Sequence, residues 1–256
     1  MSRLPGEADV PEVLDDLMAL RVEPAVARER LAVIREEVLG ASPTLQGGMF
    51  DSLSRPDLRL LFERYDAHAF GGFLQRELGP RIAFDLSERM ASAGGRTTWE
   101  PADDFFTITL ASGPLRHTFT DEVDRPIHVC GCLCHDRLEA AQRIFEHELC
   151  HLVEFLVRRK SSCRGKPFQH LARGLFGHQD HRHRLVTRRE YVAEAYGVQV
   201  GSPVRFAYQG RVLEGIVSRI TKRATVMVRD PKGEYRDKRG RRYGKYYVEV
   251  DALQSA

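Results

Sequence analysis

Asp136–Lys160, DRLEAAQRIFEHELCHLVEFLVRRK, is the stretch around which the rest of the chain is read. It contains no Pro or Gly, and Leu138, Ala141, Phe145, Leu149, Leu152 and Leu156 recur at helical spacing, so it predicts one long amphipathic helix. Asp136 suits the N-cap with Glu139 as third helical residue, and Arg158, Arg159 and Lys160 suit the negative end of the helix dipole. Inside the helix lies His147-Glu148-Leu149-Cys150-His151, two imidazoles four residues apart with an acid between them. Side chains at i and i+4 are neighbours, with Cβ atoms about 5–6 Å apart, so both rings can hold one metal ion while Glu148 reaches a bound water. The alternative is an exposed helix face that happens to carry two histidines.

Each residue type has a chemical reason. Neutral imidazole is a good zinc ligand, and zinc lowers the pKa of a bound water from about 15.7 towards 7. A carboxylate beside that water can take its proton and pass it to a leaving amine, which makes Glu148 a general base rather than a ligand. Catalytic zinc normally takes three protein ligands, so a third donor must come from elsewhere in the chain.

At 256 residues the chain can bury one sizeable core and a second, smaller unit. Its 42% hydrophobic and 29% charged residues are ordinary for a soluble protein, so class must come from motifs. No apolar run reaches the roughly 18 residues of a membrane span, and the acidic, Pro-containing N-terminus lacks the layout of a signal peptide. A cytoplasmic protein is expected. The five cysteines, Cys130, Cys132, Cys134, Cys150 and Cys163, fit reduced thiols or metal ligands better than a disulfide framework.

Pro11–Leu39 reads as one or two amphipathic helices, and the Gly40–Gly48 stretch as a linker. A helix is expected from about Pro56 to Tyr65 and a shorter one over Phe73–Leu78. Short strands are expected at Arg81–Leu86, Phe105–Leu110, His117–Thr120 and Ile127–Cys130. Pro167 opens a helix that Gly177 stops, and Thr187 with Glu190 makes a capping box for another helix to about Tyr196. From Val198 the pattern changes to period two, as in Val204, Phe206 and Tyr208 or Ala224, Val226 and Val228, which predicts a small β-barrel. The expected organisation is a helical extension over 1–48, a hydrolase domain over 49–185 and a basic barrel over 186–256. The fold class is α+β, with a small antiparallel sheet beside the metal helix.

From about Leu60 to Phe176 the chain resembles the SprT-like family of zinc metalloproteases. The likeness rests on Leu61-Phe62-Glu63-Arg64-Tyr65-Asp66 with Phe70-Gly71-Gly72, Ser87-Glu88-Arg89-Met90 with Gly94-Gly95, Phe105–Leu110, and the His147–His151 helix. The resemblance implies a compact zincin-like domain, zinc held by His147 and His151, Glu148 as catalytic acid/base, and, in some members, cleavage of proteins attached to DNA. One departure stands out. Where the family has His-Gly-x-x-Phe, with His as third ligand, this chain has Arg164-Gly165-Lys166-Pro167-Phe168, and Arg does not bind zinc.

Cys163, one residue earlier, is a capable thiolate and would complete a two-His, one-Cys site after a one-residue shift in register. His178, which follows the helix stop together with His181 and His183, is the next choice. His170 is placed opposite the apolar face of its helix, and Glu190 is explained by its cap. Cys130, Cys132 and Cys134 with His135 form another conceivable metal cluster. Packed small side chains at a strand-to-helix junction are the simpler reading of them.

Between Ser202 and Val248 basic residues greatly outnumber Glu214, Asp230, Glu234 and Asp237, and Tyr235, Tyr243, Tyr246 and Tyr247 are interleaved with them. That mixture offers phosphate contacts beside stacking surfaces. Lys222, Arg223, Arg239, Arg241 and Arg242 are therefore the expected nucleic-acid contacts, on a module similar to KOW- or Tudor-type barrels. A solvated basic surface is the alternative. The function expected from all this is a zinc-dependent endopeptidase acting on a protein or peptide, with DNA or RNA as a further partner of the tail. The rivals are a protein that keeps the fold as a binding module but has lost turnover with its third ligand, and a zinc hydrolase acting on something other than peptides.

Overall fold

The long helix forms as the sequence predicts, and the rest of its unit is arranged around it. In the computed structural model, which describes residue 16 and residues 18–91 and 93–256, it spans Arg137–Arg158. The Asp136 carboxylate accepts from the Glu139 backbone N–H at 2.9 Å and is itself held by Arg35 at 2.6 Å. The helix stops where Arg159 turns left-handed at φ 57°. Leu138, Phe145, Leu149 and Leu152 are fully buried, each such side chain contributing about 1.5–3 kcal/mol.

The preceding elements are α1 (Pro24–Ala41), α2 (Arg55–Phe70), α3 (Phe73–Leu78), strands β1 (Ile82–Ser87), β2 (Gly95–Glu100) and β3 (Phe105–Ala111), α4 (Ser112–His117), and strands β4 (Ile127–Val129) and β5 (Cys132–Cys134). The long helix is α5, followed by α6 (Lys166–Phe176). The part of the expected N-terminal helix that includes Pro11, Leu14 and Leu17 lies outside the described residues. Contacts divide the chain into two units, one reaching to Phe119 and resuming over Pro126–Leu185, the other made of Thr120–Arg125 and Val186–Ala256.

Three expectations need correction in the first unit. Its three-stranded sheet, in the order β1-β3-β2, is mixed rather than antiparallel: β1 runs parallel to β3, and only β2 is antiparallel to it. His117–Thr120 is not a strand, because Ser112–His117 is helical. Pro114 sits in the first turn of that helix, where its missing N–H costs little, and the Thr118 hydroxyl donates to its carbonyl at 2.6 Å. The Gly40–Gly48 stretch is not a loose linker. The Ser42 and Thr44 hydroxyls donate to the Asp57 carboxylate at 2.6 and 2.7 Å, and Leu138 N–H donates to Gly48 carbonyl at 2.9 Å.

β2 lies at the open edge of the sheet and against α5, with Thr97 buried and Arg96, Thr98 and Glu100 exposed. Trp99 on this strand donates its indole N–H to Asp104 at 2.8 Å, and the Arg159 guanidinium lies 5.2 Å from its ring centre. β4 and β5 form a hairpin with Cys130 and Gly131 as its two turn residues, at φ 53° and 77°, the left-handed pair that a two-residue hairpin favours. A Cβ at Gly131 would come within 2.8 Å of Gln179, so only glycine lets the turn pack this closely on the 178–184 segment. Cys130 N–H donates to Arg182 carbonyl, and the Cys130 carbonyl accepts from Gln179 and Asp180.

The second unit opens with α7 (Arg188–Tyr196), capped by the reciprocal Thr187–Glu190 box. Strands β6 (Pro203–Tyr208), β7 (Arg211–Ile220), β8 (Ala224–Arg229), β9 (Tyr235–Arg236), β10 (Arg242–Val248) and β11 (Gln254–Ser255) follow. They make one six-stranded sheet, β11-β6-β7-β8-β10-β9, over a core of Val204, Phe206, Val217, Val226 and Val248. The expected barrel is not closed. β11 and β9 stand at opposite ends of the order and are two residues long each, too short for the ladder that closure needs. Among the described residues no helix is long and apolar enough to cross a membrane.

Candidate metal centre

His147 and His151 project from one face of α5 with their Nε2 atoms 3.1 Å apart. Burial, joined for His147 by the neighbouring histidines, lowers their pKa values to about 2 and about 4, so both rings are neutral. Each ring then carries one N–H, and the surroundings fix where it is. His151 Nδ1 lies 2.6 Å from Ser161 Oγ, whose own hydrogen goes to the Glu154 carboxylate at 2.6 Å. His151 Nδ1–H therefore donates to Ser161. His147 Nδ1 lies 3.6 Å from Cys130 Sγ, whose S–H is directed at the Arg143 carbonyl at 3.8 Å, so this ring too carries its hydrogen on Nδ1.

Two Nε2 lone pairs thus face each other across 3.1 Å, an arrangement that repels unless a cation lies between them. Tetrahedral zinc with bonds of about 2.0–2.1 Å would set its nitrogen ligands about 3.3 Å apart. Cys163 Sγ joins the pair, with all three ligand atoms within 4.8 Å of one another. The donor set therefore suits a zinc-like ion. Phe168, 1% exposed, packs its ring against both imidazoles at 4.7 and 4.4 Å, which gives the aromatic residue after the Arg164-Gly165 departure a direct role in holding them. Ser161 and Glu154, which tie His151 down, were not singled out from sequence. No local pattern marks them, because their contact depends on how the chain turns after α5.

Glu148 is brought to the same cleft, about 540 Å³ in volume, which Gly94, Gly95, Thr97, His181 and His183 also line. Its Oε2 lies 2.8 Å from the Thr97 hydroxyl on β2. Burial pushes this carboxyl up to about 8, against the pull of the Thr97 hydrogen bonds. Gly95 makes the close approach possible, since a Cβ there would fall 2.7 Å from Glu148 Oε1.

His178 does not join the His147–His151 pair on the Nε2 side. It is 3% exposed, and its Nε2 donates at 2.9 Å to the buried Glu146 carboxylate, which also accepts from Arg143 at 3.0 Å and Tyr65 at 3.0 Å. Burial raises the Glu146 carboxyl, but Arg143 and His178 outweigh it and hold it below its ordinary value. His178 instead falls into a second group, with Cys130 and His147. Cys132, Cys134 and His135 enter no such three-residue group among the described residues. His170 is exposed, and Glu190 serves its cap.

The basic residues expected to touch nucleic acid are all exposed in the second unit. Lys222 and Arg223 lie in the β7–β8 turn, Arg239 and Arg241 in the β9–β10 turn, and Arg242 opens β10. Arg223 pairs with Glu249 and Arg241 with Asp237, both at 2.7 Å. Among the described residues Lys222, Arg239 and Arg242 form no ion pair. Lys245 lies 4.0 Å from the Tyr235 ring centre, beside the exposed Tyr247.

No curated protein and no solved structure matches the chain. The SprT-like family model matches residues 58–188, just over half of the chain, and its span contains β2, the helix with its histidine pair and the Cys163 loop. This chain belongs to the SprT-like family, whose domains are of the zinc metalloprotease type.

Proposed function

We propose that the chain is a zinc-dependent peptidase in which His147, His151 and Cys163 hold the metal and Glu148 moves the proton. The observation that carries this reading is the pair of facing Nε2 lone pairs, each fixed by a partner on the far side of its ring. Zinc there would supply a Lewis acid that polarises the scissile carbonyl and acidifies water. Glu148 accepts a proton in its ionised form and returns it to the leaving nitrogen, and its raised pKa suits a group that must do both near neutrality. Ser161 and Glu154 orient the His151 ring, and Phe168 restrains both rings. The substrate backbone pairs with the free edge of β2 as an added strand, which sets its carbonyl beside the cleft.

The test is metal analysis with peptide cleavage. Wild type is expected to bind zinc and cleave an unstructured protein substrate, Glu148→Gln to keep the metal and lose cleavage, and Cys163→Ala to lose the ion shared with His147 and His151 together with cleavage. Cleavage undiminished in Glu148→Gln would overturn the reading.

The second unit adds a nucleic-acid contact to this function. The support is Lys222, Arg239 and Arg242, which are exposed and form no ion pair among the described residues, together with the Lys245–Tyr235 pair and the exposed Tyr247. Affinity for a single-stranded oligonucleotide should fall steeply with salt and weaken in a Lys222, Arg239 and Arg242 charge-removal variant. A flat salt response contradicts this part.

A further inference from the structure

The Cys130 turn and the buried His178 side chain have no part in the hydrolytic scheme as donors, yet both are built with unusual care. Cys130 takes a left-handed backbone conformation, which a non-glycine residue adopts only when its surroundings hold it there, and its thiol lies against the His147 ring. His178 donates Nε2–H to a carboxylate that Arg143 and Tyr65 hold in place. That is the outer-shell arrangement that fixes a histidine as a metal ligand, because it leaves the lone pair on Nδ1. His178 Nδ1 is buried and has no hydrogen-bond partner. An unsatisfied polar atom of this kind is costly, and binding a ligand there would remove the cost.

Cys130, His147 and His178 each bring a ligand atom within 4.8 Å of the others. The contact between Cys130 Sγ and His147 Nδ1 is 3.6 Å, and zinc at about 2.3 Å from sulfur and 2.0–2.1 Å from nitrogen in tetrahedral geometry requires a separation of about 3.6 Å. Access exists from two sides, since Cys130 lines the cleft of about 540 Å³ and His178 lines a smaller cavity of about 200 Å³.

We infer that Cys130 Sγ, His178 Nδ1 and His147 Nδ1 form a second, inner site for a thiophilic divalent cation such as Zn2+, with the His147 ring bridging it to the outer site. The sharing of His147 rests on the function proposed above; the inner donor set does not. On binding, the Cys130 thiol proton and the Nδ1 proton of His147 leave to solvent, so a thiolate and an imidazolate face the ion. The inner ion would fix the His147 ring more firmly than a thiol hydrogen bond can, and so pre-position the outer ligand.

The experiment is metal stoichiometry of the full chain after removal of metal and reconstitution with Zn2+, and in parallel with Co2+, whose thiolate charge-transfer absorption reports each bound sulfur. Wild type is expected to take up two equivalents. Cys163→Ala should keep one equivalent and about half of the thiolate absorption, which can then come only from Cys130. Cys130→Ser and His178→Gln should each lose one equivalent; the second variant retains an amide N–H for Glu146 and guards against simple misfolding of the first. One equivalent in wild type, unchanged in Cys130→Ser and His178→Gln and lost in Cys163→Ala, overturns the inner site and leaves the peptidase reading standing. One equivalent that survives Cys163→Ala and is lost in Cys130→Ser does the reverse. No metal in any form sinks both.

Discussion

Glu146 and Glu148 sit two residues apart on α5, and both are buried, yet the protein holds their carboxyls in opposite states. Glu146 faces Arg143, His178 and Tyr65, and Arg143 and His178 outweigh the effect of burial and keep it ionised. Glu148, on another side of the same helix, meets the Thr97 hydroxyl and the bare backbone at Gly95, and burial pushes it up to about 8. Burial alone does not decide the charge of a carboxylate. The decision rests on whether donors with formal charge reach it, and the helix sets its two acids in opposite states by turning them towards different neighbours.

The largest effect should come from breaking the charged side of that contrast. Glu146→Gln strands Arg143 among buried neighbours, and a loss of about 3–5 kcal/mol in urea unfolding is expected. Glu148→Gln, which removes a carboxyl with no cationic partner in contact, should leave stability unchanged or raise it. Equal losses in the two variants would dissolve the comparison.

The two acids should also give the metal-free protein opposite pH dependences. The folded pKa of Glu146 is depressed, so its stabilisation is present above the unfolded value of about 4.3 and is lost as pH falls through the folded value. That of Glu148 is raised, so the folded chain retains a proton that the unfolded chain releases, and its contribution to stability declines between about pH 4.3 and about 8. His147 and His151, depressed in the folded chain, pull the other way up to about pH 6.5, so it is the difference in denaturation midpoint between wild type and Glu148→Gln that should fall steadily across that window.

Two smaller changes sharpen the picture. Gly95→Ala puts a methyl against Glu148 and should displace the carboxylate, lowering kcat/KM by up to about 100-fold while the unfolding midpoint moves little. Tyr65→Phe removes one donor from Glu146 and should cost about 1.5 kcal/mol without touching cleavage of a saturating substrate.

Much of this arrangement could be read from local pattern, and the limits of that reading have physical causes. The cap at Asp136, the apolar stripe and the i, i+4 histidines are properties of one helix, so the sequence displays them directly. β2 carries no such signal, because an edge strand of Gly-Arg-Thr-Thr-Trp-Glu buries little beyond Thr97, and alternation in it is carried by polar residues. Spacing alone groups Cys130 with Cys132 and Cys134. The Cys-Gly pair between two short strands is the available hairpin signal, and in that turn the Cys130 thiol meets His147. Nothing local could show that His178 meets Glu146, or that Ser161 and Glu154 steady His151, since those contacts arise only when α5, α6 and the loops after them pack together. The open six-stranded sheet differs from the expected barrel for a related reason: period two reveals strands but not whether the first and last of them meet.

Trp99 is the chain's single tryptophan, and it stands on the outermost strand with its indole tied to Asp104 and roofed by Arg159. Tryptophan fluorescence in this protein therefore comes from one place, a few residues along the strand from Gly95. An incoming polypeptide that annealed to that border would disturb the guanidinium cover and change the emission, so engagement of the cleft carries its own optical signal, with no label added.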